Sequence, residues 1–175
     1  CDPMTRQSPV LDLLDDELRK VHDDPTSPDR LMFFMPPQEG KSQRVSRWHA
    51  VWLLAHDPTL RIGIVSYELE SATRWGRQVK RDVEAYADLL GVRLMSDSKA
   101  AGRWETTAGG GLVCVGIRGA LTGKPLDVLI IDDPVKDRAA AESRLQRDAA
   151  WEFWEQVAEL RLSSRGKVVL IMTRW

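Results

Sequence analysis

The chain has 175 residues, of which 43% are hydrophobic and 29% are charged, and its formal net charge at pH 7 is −1. This composition indicates a globular domain with a sizeable core, and the near-neutral charge gives no ground for classing the chain as a nucleic-acid binder. No apolar run approaches membrane-spanning length, and residues 1–3 do not resemble a signal peptide. We therefore expect a cytoplasmic protein with no membrane partner.

The first predicted element is an amphipathic helix over residues 10–21. Its apolar side chains recur at helical spacing with acidic residues opposite, at Val10, Leu11, Leu14, Leu18 and Val21. A loop over residues 22–29, rich in proline and aspartate, separates this helix from the first strand. We expect one domain over residues 1–175, in which residues 1–30 are a leading helix and loop and residues 31–175 are the core.

The next segment predicts a strand, a tight loop and a helix. Residues 31–35 form an apolar run that two prolines end, and residues 43–55 carry apolar side chains at helical spacing. Between them stand Gly40, Lys41 and Ser42. In a phosphate-binding loop this arrangement wraps backbone N–H groups around a polyphosphate, the lysine reaches the β and γ phosphates, and the serine hydroxyl binds Mg²⁺.

A simpler interpretation of the same residues is an ordinary turn in which Ser42 caps a helix. The usual phosphate-loop pattern has a first glycine where this chain has Met35. A second element is therefore needed to support nucleotide binding.

That second element is the run that ends in Asp132 and Asp133. Residues 128–131 are apolar and rich in β-branched side chains, as in a central strand of a parallel sheet, and ligands of such sheets bind at the carboxyl edge. One carboxylate can hold the Mg²⁺ of a nucleotide, and its neighbour can polarise the attacking water. The alternative is a turn before Pro134. Adjacent carboxylates repel unless a cation is present, which favours the nucleotide site.

The segment between the two motifs predicts strand and helix in alternation, as in a parallel sheet. Residues 61–66 are a predicted strand, and residues 69–90 are a predicted helix with Gly91 as its C-cap. The helix carries a basic cluster, Arg74, Arg77, Lys80 and Arg81. This cluster could contact phosphates, although a solvated face balanced by acidic residues is the simpler interpretation; those acids are Glu70, Asp82, Glu84 and Asp88.

A glycine-rich stretch follows. It predicts a hairpin of residues 104–107 with residues 112–115, and then a loop over residues 116–124 that carries Arg118, Thr122 and Lys124. Cations in this loop could reach a neighbouring subunit's nucleotide. Cys114 lies in the apolar run, so we expect a reduced core residue.

The last third predicts a helix and a strand. We expect a helix over residues 140–162 with one apolar face turned inward, made of Leu145, Ala149, Phe153, Val157 and Leu160. Residues 163–166 should end it, and residues 167–172 should form a core strand that leads to Thr173. Because a domain seldom ends on a core strand, we expect the chain to be part of a longer protein.

Several ordered motifs together resemble a known family. They are MPPQEGKS (35–42), GIVSY (63–67), GALTGKPLDVLIIDDPVKDR (119–138) and IMTRW (171–175). Over almost all of residues 30–175 the chain resembles the N-terminal ATPase domain of the large terminase subunits of tailed bacteriophages. The resemblance implies an α/β fold, a P-loop NTPase domain of the RecA-like (ASCE) type with a mainly parallel central sheet flanked by helices.

The resemblance also implies site residues and cofactors. ATP and Mg²⁺ would be the cofactors, with Gly40, Lys41 and Ser42 as the Walker A contacts. Asp132 would be the Walker B residue that shares the metal with Ser42, and Asp133 the catalytic carboxylate. The remaining nucleotide contacts implied by position are Gln38, Glu39, Gln43 and Thr173, the last in the motif that couples the γ phosphate to movement.

Three positions depart from the family pattern. Gln38 stands where many relatives have an arginine, and many also have an arginine near the position of Lys124. The trans-acting finger could therefore be Lys124, Arg118 from the same loop, or neither. A lysine there is a point charge and stabilises a transition state less directionally than an arginine fork. Asp133 is one methylene shorter than the glutamate of many related ATPases, so Glu142 is a second candidate for the base.

The function that the resemblance implies is ATP hydrolysis that drives double-stranded viral DNA into a procapsid. The implied partners are double-stranded DNA, the portal protein, the small terminase subunit and further copies of the chain in a ring. The implied location is the cytoplasm of the infected bacterium, transiently at the portal. Two alternatives stay open: a helicase-like P-loop translocase, and a nucleotide-binding part that hydrolyses little alone. The nuclease domain of such proteins is not expected within residues 1–175.

Overall fold

The structure is a computed structural model that describes residues 7–24, 26–27, 29–98, 100–121, 123 and 125–174. Thr122 and Lys124 lie outside the described residues, so the candidate role of Lys124 stays a prediction. No helix in the described ranges is long and apolar enough to cross a membrane.

One six-stranded sheet forms the centre of the fold. Its strands are β1 (Arg30–Phe34), β2 (Arg61–Ser66), β3 (Arg103–Glu105), β4 (Gly111–Gly116), β5 (Leu126–Asp132) and β6 (Leu162–Met172). The spatial order is β1-β6-β5-β2-β4-β3, and only the β3–β4 pair is antiparallel. The expected mainly parallel α/β sheet is confirmed.

Helices and helical turns join the strands. They are α1 (Pro9–Asp23), α2 (π-helical over Gln43–His49 and α-helical over Ala50–His56), α3 (Leu69–Ala85), α4 (Ala87–Leu90), α5 (Arg138–Glu142) and α6 (Arg144–Phe153). A π-helical segment, Trp154–Ala158, and a 3₁₀ turn, Glu159–Arg161, continue from α6 to β6.

Two apolar layers hold these helices against the sheet. The first contains buried side chains of α1, α2 and α3 packed on β2 and β5, among them Leu14, Leu54, Val79, Ile64 and Ile130. The second layer buries residues of β5, β6 and the α6 region, among them Leu129, Ile131, Val168, Phe153 and Ala158. Strand β5 contributes side chains to both layers, so both of its faces are buried, and this explains why its apolar run is continuous.

The parallel strands bring their carboxyl ends to one edge of the sheet. Phe34 of β1 pairs with Met172 of β6, and Asp132 of β5 pairs with Ile171 of β6. The segments that follow β1, β5 and β6 are therefore neighbours in space, although more than a hundred residues separate the first from the last.

Most predicted elements are confirmed. The β2 bounds match the prediction, the β3–β4 hairpin is present, and Gly91 ends α4 in the left-handed conformation with φ 68°. The predicted helix over residues 69–90 is divided, because Tyr86 has a non-helical backbone (φ −112°, ψ 22°) between α3 and α4. Cys114 is a buried free thiol, and burial raises its pKa to about 12.

The prediction for residues 140–162 is wrong in its phase. Ser143 has an extended backbone that separates α5 from α6, and the π-helical segment after Phe153 shifts the periodicity again. Leu145 and Leu160 are consequently each 73% exposed, although the helical spacing predicted both as inward. Phe153 is buried as expected.

Strand β6 begins earlier than predicted. Leu162 pairs with Leu126 of β5, and the next pair joins Lys167 with Val128. The four residues 163–166, predicted to end a helix, form an irregular insertion within the strand.

Candidate nucleotide-binding site

The loop between β1 and α2 has two left-handed residues. Gln38 has φ 66° and Gly40 has φ 80°. Glycine takes this conformation without steric penalty, whereas glutamine is strained by it. Apart from the chain neighbours of Gly40, no described atom lies within 4 Å of the position that a Cβ on this glycine would occupy. A ligand can therefore approach the backbone closely at Gly40.

Lys41, the residue after that glycine, is turned into the sheet edge and is 5% exposed. Its Nζ donates a hydrogen bond of 2.9 Å to Oγ1 of Thr173 and lies 3.1 Å from Oδ2 of Asp133. The backbone N–H of Thr173 in turn donates to Oδ1 of Asp133 at 2.7 Å. Lys41, Asp133 and Thr173 thus form a closed group that joins the ends of β1, β5 and β6.

Asp133 has an unusual backbone, with φ 43°. Its own N–H donates to the carbonyl of Ile171 at 2.9 Å, which fixes this conformation against β6. Left-handed backbone costs a non-glycine residue of order 1 kcal/mol or more, and such strain persists where the surrounding structure holds it. The conformation turns the Asp133 carboxylate towards Lys41 and Thr173.

The neighbouring carboxylate, Asp132, is bound by two serines. Ser42 Oγ donates to Oδ1 of Asp132 at 2.8 Å, and Ser46 Oγ donates to Oδ2 at 2.8 Å. Ser42 immediately precedes α2 and Ser46 lies on its first turn four residues later, so both face the same side. Ser42 and one oxygen of Asp132 therefore form an adjacent pair of hard oxygen donors.

Burial dominates the electrostatics of Asp132, which is 3% exposed. Removal from water raises the pKa of its carboxyl, and so does the charge of Asp133, while the two serine hydrogen bonds and the charge of Lys41 act in the opposite direction. A divalent cation beside Asp132 would favour its charged form, so the donor set suits Mg²⁺.

Among the described residues no group of three or more His, Cys, Asp and Glu side chains is placed to hold a metal. Ser42 and Asp132 could hold Mg²⁺, with water and phosphate oxygens completing the shell.

The other predicted nucleotide contacts lie around this group. Gln38, Glu39 and Gly40 are exposed in the loop, and Gln43 is half-buried at the start of α2. Arg44, the next residue, donates to Oε1 of Gln7 at 2.6 Å and lies 3.4 Å from Oδ1 of Asp15. These bonds tie the first turn of α2 to helix α1.

Two other candidate catalytic residues lie within the described residues, Arg118 and Glu142. Arg118 is exposed and follows β4, which lies two strands from β5 in the sheet. It lines the same pocket as Pro134, the residue that follows Asp133. Glu142 lies on the surface in α5 and accepts a hydrogen bond of 2.9 Å from Arg138.

Sequence reasoning missed Ser46 and the Lys41–Asp133 ion pair. The signal for Ser46 is its position four residues after Ser42, which places a buried hydroxyl on the same helix face. The ion pair has no local signal, since it depends on how β1 and β5 are spaced across β6.

No protein-family model and no curated protein sequence matches the chain. Solved structures do match. The large terminase of bacteriophage HK97 aligns with a TM-score of 0.63 at 15% identity, over 96% of this chain and 33% of that one. The large terminase ATPase domain of Thermus phage P74-26 aligns with a TM-score of 0.59 at 20% identity, over 89% and 62% respectively.

A third match is the large terminase of a thermophilic bacteriophage in complex with ATP-gamma-S, with a TM-score of 0.53 at 13% identity, over 90% of this chain and 36% of that chain. The present chain thus spans about a third of the length of the HK97 protein and of this third protein. At the level of the fold, this likeness confirms the resemblance to the ATPase domains of large terminases.

Proposed function

We propose that this chain is the Mg²⁺-dependent ATP-hydrolysing domain of a DNA-packaging motor of the large terminase type. The observation that carries the proposal is the convergence of Lys41, Asp132, Asp133 and Thr173 at the carboxyl ends of three neighbouring strands. Buried lysine, paired carboxylates and a helix N-terminus are the parts that phosphoryl transfer needs.

In this proposal the loop binds the phosphates. Lys41 pairs with the β and γ phosphates, the backbone at Gly40 approaches them, and Gln38, Glu39 and Gln43 line the rim. Mg²⁺ bound with ATP would neutralise developing charge on the phosphates, and Ser42 and Asp132 would hold it. The direct bond between Ser42 and Asp132 keeps both oxygens adjacent.

Asp133 would hold the attacking water and accept its proton. Its carboxylate now contacts Lys41 and Thr173. When phosphate oxygens pair with Lys41, the Asp133 oxygen that contacted the lysine would become available to bind water. The hydrogen bond from the Thr173 N–H would hold the other carboxylate oxygen in place. The same bond would pass a shift of Asp133 to the end of β6, which is our proposal for the coupling role of Thr173.

Double-stranded DNA is the proposed polymer, and helix α3 offers a surface for it. Arg74, Arg77 and Arg81 are exposed at spacings of three and four residues, so they share one helix face. Two of the acids expected to balance them have other partners: Asp82 binds Arg47 through two hydrogen bonds, and Asp88 binds Arg93. The three arginines can therefore face phosphates.

The remaining parts of the proposal concern assembly. The portal protein, the small terminase subunit and a ring of identical chains are the proposed partners, in the cytoplasm of the infected bacterium and at the procapsid portal. Arg118, which is exposed, would act on a neighbour's nucleotide; Lys124 of the same loop is the other candidate.

The test is the ATP hydrolysis rate per chain, measured at increasing protein concentration with and without double-stranded DNA, with Lys41→Ala as the blank. We expect a rate that rises with concentration and with duplex DNA, because neighbours complete the sites. Stimulation by single-stranded DNA alone would favour a helicase-like translocase. A flat rate equal to the blank, with ATP still bound, would favour a nucleotide-binding part that needs other components for hydrolysis.

A further inference from the structure

The carboxylate of Asp132, the proposed Walker B residue, accepts a second hydrogen bond from a residue that would not itself bind the metal. Ser46 Oγ donates to Oδ2 of Asp132 at 2.8 Å, while Ser42 Oγ donates to the other oxygen. Ser46 is 0% exposed and Asp132 is 3% exposed, so water cannot replace this bond. The carboxylate is thus held at both oxygens by one helix.

We infer that Ser46 is a positioning residue that sets the orientation of Asp132 for Mg²⁺. This inference rests on the proposed function, because it assumes that Asp132 and Ser42 hold the metal. A carboxylate can rotate about its Cβ–Cγ bond, because the energy well of that torsion is broad. A single hydrogen bond to one oxygen restricts this rotation only in part. The bond from Ser46 removes it and directs Oδ1 towards Ser42.

The two serines differ in their exposure to solvent and therefore in their roles. Ser42 is half-buried and bonds to Oδ1, so it stands on the side from which a ligand enters. Ser46 lies one helical turn deeper and has no access to solvent. A hydroxyl in that position can orient the carboxylate but cannot contact a nucleotide. Partners that orient a metal ligand in this way typically change metal affinity roughly 10- to 100-fold when removed.

The π-helical geometry of α2 contributes to this arrangement. The segment Gln43–His49 has π-helical hydrogen bonding, which is rare and often occurs at functional sites. Ser46 lies at the centre of that segment. The wider turn carries the Ser46 hydroxyl against β5, at the residue where β5 ends.

The test compares Ser46→Ala with a matched control, Thr106→Val. Thr106 is also a buried hydroxyl, 1% exposed, and it donates to the carbonyl of Pro58 at 2.6 Å near the opposite edge of the sheet. Both variants remove one buried hydrogen bond, so a general loss of stability should affect both alike. Only Ser46→Ala removes a bond to Asp132.

The readout is binding of a fluorescent ATP analogue as a function of free Mg²⁺, together with thermal unfolding in EDTA. For Ser46→Ala we expect the half-saturating Mg²⁺ concentration to rise roughly tenfold, with analogue binding in EDTA within about twofold of the parent. Thr106→Val should keep the parental Mg²⁺ dependence even if its unfolding temperature falls equally.

A Mg²⁺ dependence in Ser46→Ala that equals that of Thr106→Val would overturn the inference and leave the proposed function standing. A parent protein whose analogue binding does not respond to Mg²⁺ at all would overturn both. Failure of Ser46→Ala alone to bind the analogue in EDTA would also overturn the inference, since it would mean that Ser46 supports the loop and not the metal ligand.

Discussion

Nζ of Lys41 lies 3.1 Å from Oδ2 of Asp133, and the two side chains are 7% and 29% exposed. The proposed reaction uses them for different tasks, since the lysine binds phosphate and the carboxylate activates water. ATP must therefore compete with Asp133 for Lys41. Nucleotide binding must therefore break the Lys41–Asp133 ion pair, which costs free energy. The same step releases the Asp133 carboxylate when a phosphate binds Lys41.

Asp133→Asn should separate binding from hydrolysis. Asparagine tolerates the left-handed backbone of this position, so the loop should keep its shape. Without the carboxylate charge, Lys41 is released for phosphate, and we expect ATP to bind roughly fivefold tighter, from an ion pair worth on the order of 1 kcal/mol. Turnover should fall at least about a hundredfold, because the general base is removed.

The measurement is a nucleotide titration combined with single-turnover hydrolysis, with Glu142→Gln as the control. Glu142 is exposed and bonded to Arg138, so its substitution should leave both quantities near the parental values. Unchanged turnover in Asp133→Asn with a large decrease in Glu142→Gln would move the base to Glu142.

Mixing of variants tests the proposed role of Arg118. Because the proposed role of Arg118 is to act on a neighbouring subunit's nucleotide, Arg118→Ala should impair hydrolysis at the neighbour's site and not at its own. Adding Lys41→Ala, itself inactive, should restore part of the rate, since it supplies an intact Arg118 to sites that retain Lys41. No recovery at any mixing ratio would argue against Arg118 and leave Lys124 as the candidate.

The exposed arginines of α3 predict a change in the salt dependence of DNA binding. The double variant Arg77→Gln/Arg81→Gln should bind duplex DNA more weakly, and the slope of log K against log salt should shrink by about one for each phosphate that the variant ceases to bind. The control, Arg138→Gln/Arg144→Gln, removes the same charge from arginines that each pair with an acid. Equal effects of both double variants would mean that only net charge matters.

Two histidines packed against each other predict a decrease of stability in acid. Burial lowers the pKa of His22 to about 4, helped by Lys167 and opposed by Asp23. Burial also lowers the pKa of His49 to about 3, and the charge of His22 adds to this. Their ring centroids lie 5.1 Å apart, where α1 meets α2, and neither Nε2 has a hydrogen-bond partner among the described residues.

Unfolded histidine has a pKa of about 6.5, so between about pH 6.5 and pH 4 the unfolded chain binds more protons than the folded one. Above pH 6.5 the two neutral histidines make their full contribution to the free energy of unfolding. On acidification to pH 5, about 2 kcal/mol of unfolding free energy should be lost for His49, and less for the partly exposed His22.

Urea unfolding from pH 7.5 to 5 measures this decrease. His22→Phe/His49→Phe should flatten the pH dependence of the unfolding free energy. Equal slopes in the parent and this variant would contradict the assignment.

The sequence was sufficient to locate the two motifs at the sheet edge and most of the strands, because proline, glycine and continuous apolar runs mark them locally. It missed the first five residues of β6, which were assigned to the preceding helix and its end. Periodicity failed for Leu145 and Leu160, since one extended residue and a π-helical turn reset the phase of the helix. Ion pairs between side chains that are distant in the sequence could not be predicted either. Asp82, expected to balance α3 arginines, is buried against Arg47 of α2, and that partner is set by helix packing.

The most direct test of the account is Mg²⁺-dependent ATP hydrolysis by the parent, Lys41→Ala and Lys20→Ala at equal concentrations. Lys20 is an exposed lysine of α1 that pairs with Glu17, so its substitution controls for charge. We predict that the parent and Lys20→Ala hydrolyse ATP at similar rates and that Lys41→Ala neither binds ATP tightly nor hydrolyses it. Hydrolysis by Lys41→Ala at the parental rate would contradict the assignment of the phosphate-binding loop.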